Sequence, residues 1–442
     1  MGNEETKGKK TQKIGLLITT SLVVGNMIGA GIFVLPAALA SYGSISLLGW
    51  VFTAAGALVL AKIFSNFSKI IVNKSGGPYT YARAGFGDFI GFLVAWGYWI
   101  SIWVTNGAIA IAIVSALSFF FPELKDTPIF SIGLGLGFIW FFTWINSLGI
   151  KQSGKIQLVT TILKLLPLFF VIIIGAFYFD MDNFPSFNET GESSFTSLSA
   201  VATLTLFAFL GLECATIPAA NVDKPERTVP KATLVGTLIA TLIYILGTVV
   251  LFGMLPMKTF IDSPAPFAEA AQLIGGEFAG YFVAAGAAIA AIGALNGWIL
   301  IMGQIPMASA KDALFPKIFG KENKRGVPIT GLIIGSALSS IILLMNYTEG
   351  LVKQFEFMVL LTTLCCLIPY LFTAASYALV SIERKLHLKN TFTTVILALL
   401  GFSYSLWAIY GSGSDTVFYG FLLLLCGVPL YVIMKWNQKK DK

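Results

Sequence analysis

Two apolar segments of the sequence carry the residues that can do chemistry. The first, GNMIGAGIF at 25–33, has three glycines within seven residues and no charge. The second, FAFLGLECA at 207–215, places a glycine two residues before Glu213. A helix interrupted at such a place leaves free N–H groups at the start of its second half and free carbonyls at the end of its first half. Inside a membrane these groups need a cavity or a ligand, because hydrocarbon offers them no hydrogen bonds.

The free groups suit the two ends of an α-amino acid. Gly29 and Gly31 have no side chain to block approach, and the second half-helix begins beside them with its positive dipole end toward the gap. That arrangement favours a carboxylate. Carbonyls near Met27 in the first segment, and near Phe207 and Leu210 in the second, suit an ammonium group. The alternative is a close helix crossing, since Gly25 and Gly29 satisfy GxxxG. The matching interruption in the second segment favours the binding site.

Two ionisable residues lie inside apolar segments, where such residues are candidates for function. Glu213 can bind and release a proton, and its alternative role is that of a protonated hydrogen-bond donor between helices. Lys164, in TTILKLLPLFF, can also carry a proton. A lysine that reaches out to the membrane interface is the alternative, and its depth in the segment argues against it.

The composition indicates a polytopic membrane protein. Of 442 residues, 56% are hydrophobic and 12% are charged, and the mean hydropathy is +0.82, whereas soluble domains carry roughly 25% charge. A sequence pI of about 9.0 would indicate nucleic acid only with a basic face on a soluble domain, and none is available. The four cysteines lie in apolar segments without a CxxC pair, so we predict no disulfide framework, metal or cofactor.

At about 20 apolar residues per crossing, the sequence predicts twelve transmembrane spans. They lie near 14–40, 45–66, 87–121, 128–147, 156–179, 197–220, 232–255, 278–306, 328–345, 354–380, 392–411 and 415–434. Of the 29 Lys and Arg residues, 25 fall in the tails and the loops on one side. That side is therefore predicted to be cytoplasmic, with both termini on it.

The interrupted segments occupy the first and the sixth span, at corresponding places in two groups of five. Paired interruptions of this kind indicate a transporter site at the bilayer midplane. Because five is odd, the two groups must run in opposite directions across the membrane. The sequence therefore predicts an all-α five-plus-five inverted repeat with helices 1 and 6 broken. The predicted divisions are a tail at 1–13, repeats at 14–180 and 197–380, two further helices at 392–434, and a tail at 435–442.

Four motifs carry a family resemblance. They are GNMIGAGIFVLPAALASYG at 25–43, SGGPYTYARAGFG at 75–87, FLGLECATIPAANVDKPERTVPKAT at 209–233 and GALNGWILIMGQ at 293–304. They resemble the amino acid-polyamine-organocation (APC) transporters, and most closely the group of bacterial arginine/agmatine and basic amino acid/polyamine antiporters. The similarity covers about residues 14–380, and the resemblance implies the LeuT-type fold.

The resemblance also implies roles for individual residues. The amides of Ala30 and Gly31 would take the substrate carboxylate, and the carbonyls of Met27, Phe207 and Leu210 would hold its α-amino group. The substrate side chain would meet a further set of residues, Ser101, Ile102, Asn106, Ile109, Ala208, Trp298 and Thr362. Trp298 would stack on the substrate as a gate, and a cation over an indole is worth about 0.5 to 2 kcal/mol.

The sequence departs from the arginine antiporter at two of these positions. Ala30 stands where that relative has a serine, and Phe207 stands where it has a second tryptophan. Both departures argue against strict arginine specificity.

For the two ions, the resemblance places Glu213 at a pH-sensing glutamate of the distal gate, with Tyr98 and Tyr370 as its partners. Lys164 would occupy the position of a sodium ion in sodium-coupled relatives. Its ammonium would tie the fifth span to the carbonyls of the broken first helix.

The expected function is a sodium-independent secondary amino acid transporter of the bacterial inner membrane that works by alternating access. We expect an antiporter that exchanges an arginine-like basic amino acid for a related amine or amino acid. The resemblance implies a homodimer.

The alternative is a proton-coupled symporter for neutral or basic amino acids, with Lys164 as the reason. An enzyme fits less well, because the single histidine, His387, lies in a basic cytoplasmic loop. A channel would need a continuous polar lining, which these spans lack.

Overall fold

The structure is a computed structural model that describes residues 13–29, 31–72, 74–118, 120–121, 123–261, 263, 265–345, 351–383, 391–412 and 414–440. His387 and the tail at 1–12 lie outside them. Within these ranges the chain forms α-helices, short 3₁₀ helices and one isolated parallel bridge. The α-helices are α1 (Leu16–Met27), α2 (Gly31–Ala40), α3 (Ile45–Ile70), α4 (Pro78–Leu117), α5 (Glu123–Asp126), α6 (Pro128–Ser147), α7 (Ile150–Gly175), α8 (Ser194–Leu206), α9 (Pro225–Met254), α10 (Met257–Phe260), α11 (Pro266–Lys311), α12 (Ile329–Met345), α13 (Leu351–Glu383), α14 (Thr391–Gly411), α15 (Ser414–Leu425) and α16 (Gly427–Lys440).

The described helices have the length and composition of a polytopic membrane protein. Nine are long and apolar enough to cross a membrane, and three shorter apolar helices lie at Leu16–Met27, Ser194–Phe209 and Ile329–Met345. Each predicted span overlaps at least one of the helices, but four helices begin six or more residues earlier than predicted, α4, α7, α9 and α11. Three of these four begin with proline at the first helical position, where its missing N–H costs nothing. Their first turns each contain polar or charged residues, so an apolar count misses them.

Glycines bend two of the long helices. Gly87, with φ of 78°, interrupts α4, and this left-handed conformation is one that glycine adopts without a steric penalty. A second bend lies at Gly275 and Gly276 of α11. Each bend separates a short first segment from the remainder of the helix. The bend in α4 coincides with the predicted start of the span at residue 87, although the helix itself begins at Pro78.

The two segments singled out in the sequence are both interrupted. The first helix stops at Met27, and α2 begins at Gly31. The sixth predicted span, 197–220, is helical only in its first part. There α8 tightens into a 3₁₀ turn at Phe207–Phe209, and residues 210–218 then form successive turns rather than the second half of a regular helix.

The remaining helices pack around these interruptions. Helix α4 runs along α11 and α13, α11 also runs along α7, and α1 packs between α7 and α9. The start of α1 is tied to the end of the sixth segment, because the Ile14 N–H donates to the Asn221 carbonyl at 2.9 Å and the Asp223 N–H donates back to the Ile14 carbonyl at 2.9 Å.

A cluster of charges joins the ends of three helices. The Arg83 guanidinium of α4 contacts the carboxylates of Asp88 at 2.9 Å and Asp312 at 2.6 Å. Lys435 of α16 contacts Asp88 at 2.9 Å, and the Tyr79 hydroxyl donates to Asp312 at 2.6 Å. These groups are partly exposed, so each pair contributes little to stability. The cluster fixes how the helix ends meet.

Candidate functional site

The two interrupted segments lie against each other. Gly211 has a φ of 108°, and a Cβ added to it would lie 3.1 Å from Asn26 Cβ and 3.3 Å from the Met27 nitrogen. Only a residue without a side chain permits this approach, because that φ is strained for any other residue. The pairing of interruptions predicted from the sequence is therefore a physical contact.

A buried cavity of about 30 Å³ lies where the interruptions meet. Eight of the residues predicted to bind substrate line it, Met27, Gly29, Gly31, Ile109, Phe207, Ala208, Leu210 and Trp298. Three residues that the sequence did not single out complete the lining, Asn26, Thr105 and Ala294. A ninth predicted residue, Ala30, lies outside the described residues.

The cavity is closed in this arrangement. One water needs about 10 to 15 Å³ on the same measure, so about two waters fit and an amino acid does not. The Phe207 ring lies close to α2, since a Cβ on Gly31 would be 3.2 Å from Phe207 Cε1. Trp298 is 3% exposed. Two aromatic rings therefore border the cavity.

Three main-chain carbonyls at the interruptions accept hydrogen bonds from within the protein. The Met27 carbonyl accepts from the Gly29 N–H at 2.9 Å, and the Phe207 carbonyl accepts from the Leu210 N–H at 3.2 Å. The Ala208 carbonyl accepts from the Tyr244 hydroxyl at 2.8 Å. Each carbonyl has a second lone pair. The Met27 carbonyl can therefore accept a further hydrogen bond, and the ammonium-binding roles of Met27, Phe207 and Leu210 stay predictions.

Four of the predicted substrate-binding residues are buried but do not line the cavity, Ser101, Ile102, Asn106 and Thr362. Thr105, which lines the cavity, contacts two of them, because its hydroxyl donates to the Ser101 carbonyl at 2.7 Å and its oxygen lies 3.2 Å from Thr362 Oγ1. Asn106 is the next residue after Thr105, so its side chain leaves the helix about 100° around the axis from that of Thr105. It donates to Met302 Sδ at 3.3 Å, while its Oδ1 has no hydrogen-bond partner among the described residues. The binding roles of these four residues stay predictions.

Two tyrosines from distant parts of the chain meet at Glu213. The hydroxyl of Tyr98 in α4 donates to Glu213 Oε1, and the hydroxyl of Tyr370 in α13 donates to Oε2. All three side chains are fully buried. The partners that the resemblance implied for Glu213 are thus its hydrogen-bond partners. Two donors on one carboxylate connect α4, α13 and the interrupted sixth segment just beyond the cavity.

Lys164 closes the end of the first half-helix. Its Nζ is fully buried and donates to the Gly25 carbonyl at 2.6 Å and to the Ile28 carbonyl. Free carbonyls at the end of a helix need such donors. In a continuous helix the Gly29 N–H would donate to the Gly25 carbonyl, but here it donates to the Met27 carbonyl. The expected contact between the fifth span and the broken first helix is therefore present.

Known proteins resemble this chain over nearly its whole length. The sequence model of the amino acid permease family matches residues 14–426. The putrescine transporter PotE of Haemophilus influenzae is 35% identical over 440 residues, covering 98% of this chain and 99% of its own. A putative arginine/ornithine antiporter of Bacillus subtilis is 33% identical, with 98% and 99% covered. The cadaverine/lysine antiporter of Escherichia coli is 33% identical, with 97% and 95% covered.

Proposed function

Because the chain belongs to the amino acid permease family, we propose that it is a secondary transporter that exchanges a basic amino acid for a related amine or amino acid. The observation that carries the proposal is the cavity between the two interrupted segments. It offers carbonyl acceptors from both segments and an approach to the start of α2 through Gly29 and Gly31. Those groups match the ammonium and the carboxylate of an amino acid.

The cationic end of the substrate has aromatic partners. Of the described residues that line the cavity, none is acidic, so the rings of Trp298 and Phe207 are the groups available to a cation. The relatives are named for putrescine, for cadaverine and lysine, and for arginine and ornithine. All of these molecules carry a cationic amine or guanidinium. The same chemistry supports a substrate range wider than arginine.

Alternating access supplies the transport step. The twelve predicted spans would form the inverted repeat, with both termini cytoplasmic, in a bacterial inner membrane. In that orientation Glu213 with Tyr98 and Tyr370 lies on the cytoplasmic side of the cavity and holds it shut. The side chain of Lys164 takes the place of a sodium ion, which makes transport sodium-independent. A homodimer is part of the same proposal.

Proton-coupled symport is the second candidate, and the buried ammonium of Lys164 is the observation that favours it. An ionisable group deep in a membrane protein can serve as a proton carrier. The relatives named as antiporters favour exchange. Transport into empty and loaded vesicles distinguishes the two mechanisms.

Ligand-induced thermal shift of the purified protein tests the substrate class. Arginine, lysine, ornithine, agmatine, cadaverine and putrescine are compared with neutral and acidic amino acids. We expect stabilisation by one or more of the cationic compounds. Trp298→Ala should weaken that binding about 2- to 30-fold, the loss of one cation–π contact of about 0.5 to 2 kcal/mol. Trp144→Ala is the control, because Trp144 is 58% exposed. If no amino acid or amine shifts the unfolding temperature, the proposal fails.

A further inference from the structure

We propose that Gln157 is a specificity-determining positioning residue, which holds the Asn26 amide with its N–H donor available to the cavity. Gln157 would thereby favour binding of the amino acid, which has a carboxylate, over binding of the amine that results from its decarboxylation. The inference rests on the proposed function, since it concerns the substrates of that exchange. Gln157 does not line the cavity itself. It acts through Asn26, which does.

A chain of buried amides leads from the cavity into the protein. Gln157 Nε2 of α7 donates to Asn26 Oδ1 at 3.3 Å. Asn296 Nδ2 of α11 donates to Gln157 Oε1 at 3.2 Å, and Asn146 Nδ2 of α6 donates to Asn296 Oδ1 at 3.2 Å. All four side chains are at most 4% exposed. Each amide donates in the same direction, toward the cavity.

Main-chain carbonyls fix the direction of this chain at three of its four members. Asn146 Nδ2 also faces the Phe142 carbonyl at 2.8 Å, Asn296 Nδ2 faces the Ser153 carbonyl at 3.0 Å, and Gln157 Nε2 faces the Ser21 carbonyl at 3.4 Å. A flipped amide would set two oxygens against each other at each of these places. The orientation of these three side chains is therefore determined by the fold.

Asn26 is the exception. Its amide makes two hydrogen bonds among the described residues, from Gln157 to its Oδ1 and from its Nδ2 to Cys214 Sγ at 3.1 Å. Neither is to the main chain, and sulfur is a weak acceptor. The hydrogen bond from Gln157 therefore fixes the orientation of the Asn26 amide, with the oxygen toward Gln157. With the oxygen held, the amide nitrogen keeps a second hydrogen for a ligand.

Two glycines make room for this contact. A Cβ on Gly25 would collide with Gln157 Nε2, and a Cβ on Gly297 would collide with Asn26 Oδ1 and lie 2.9 Å from Gln157 Nε2. Three helices thus approach closely at the one place where the amides cross from α7 to α1. Gly25 serves this approach, whereas Gly29 and Gly31 line the cavity.

The chemical consequence concerns the carboxylate. An N–H donor at the cavity favours a substrate group that accepts hydrogen bonds, which an amino acid has and its decarboxylated amine lacks. Without Gln157 the Asn26 amide can turn its oxygen toward the cavity, and an oxygen favours the ammonium groups of the amine. The loss of one hydrogen bond to a charged carboxylate corresponds to a factor of about ten to a hundred in affinity.

The test is the ratio of the apparent KM for amine to that for amino acid, measured by exchange in proteoliposomes. The pairs are cadaverine and lysine, putrescine and ornithine, and agmatine and arginine, and the pair with the fastest wild-type exchange is used. We expect Gln157→Leu to lower the ratio about ten- to a hundredfold. General damage to the fold would change both KM values together and leave the ratio unchanged. Gln152→Leu is the control, since Gln152 is an exposed glutamine of the same helix.

A double-mutant cycle shows whether Gln157 acts through Asn26. In an Asn26→Ala background, Gln157→Leu should change the ratio no further. Additive effects, or an unchanged ratio in the single variant, would overturn the inference. If the leucine variant does not fold, Gln157→Met removes the same hydrogen bonds with a flexible side chain and is judged by the same ratio. Wild-type exchange with an unaffected ratio contradicts this inference alone, whereas the absence of wild-type exchange contradicts the proposed function.

Discussion

Replacement of Lys164 by methionine removes the ammonium group and keeps the length of the side chain. In the wild-type protein this ammonium donates to the Gly25 carbonyl at 2.6 Å and to the Ile28 carbonyl. Both carbonyls belong to the end of the broken first helix. In Lys164→Met they lose these donors, in a region where the lysine is fully buried.

The magnitude follows from the two carbonyls. A buried polar group without a partner costs about 1 to 3 kcal/mol, so two cost about 2 to 6 kcal/mol. Removal of the ammonium also relieves the several kcal/mol that its burial costs. These two contributions partly cancel in the free energy of unfolding. The loss of the hydrogen bonds that hold α1 against α7 in the closed arrangement still remains. A change of about 1.4 kcal/mol in the activation free energy changes a rate tenfold. The lower bound of about 2 kcal/mol therefore corresponds to exchange that is about 30-fold slower.

Exchange by proteoliposomes with equal amounts of inserted protein measures this effect. Lys155→Met is the matched control, because Lys155 is an exposed lysine of the same helix. We expect wild-type exchange from the control and strongly reduced exchange from Lys164→Met. If both variants exchange at the wild-type rate, the two hydrogen bonds have no part in the transport cycle.

The remaining predictions concern the carboxylate cluster and sodium. Tyr98→Phe and Tyr370→Phe each remove one hydrogen bond to the buried Glu213 carboxylate, worth about 1.5 to 3 kcal/mol. Each should slow exchange about 10- to 100-fold, whereas Tyr410→Phe should not, because Tyr410 is 84% exposed; equal rates for all three variants would contradict a gating role. Replacement of sodium by choline should leave the wild-type exchange rate unchanged, and a loss of exchange would show that Lys164 does not stand in for a sodium ion.

The interruption of the first helix could be predicted because its cause is local. GNMIGAGIF concentrates glycine in an apolar segment, and the structure ends α1 at Met27 and begins α2 at Gly31. The sixth segment was predicted less well. Its interruption was expected, but the turns at 210–218 were not, because the apolar composition of the segment is the same for a helix and for turns.

Contacts between distant helices could not be predicted from spacing. Asn26 lies next to a predicted binding residue, yet its importance depends on contacts with distant parts of the chain. Gln157 lies 131 residues from Asn26, and Asn296 lies 139 residues from Gln157. Thr105 was missed because the family resemblance pointed to Ser101 and Asn106 on the same helix. A buried amide in each of several apolar segments was the available signal, since such side chains need partners. The sequence does not say which of them pair.

Exchange by the purified protein in loaded and empty proteoliposomes tests the central claim most directly. Vesicles contain unlabelled lysine, arginine, ornithine, putrescine or cadaverine, or no substrate, and ionophores abolish the pH gradient and the membrane potential. An antiporter takes up labelled substrate only into loaded vesicles and needs no gradient, which is the result we predict. Uptake into empty vesicles that is driven by an imposed proton gradient, and that internal substrate does not accelerate, would contradict it.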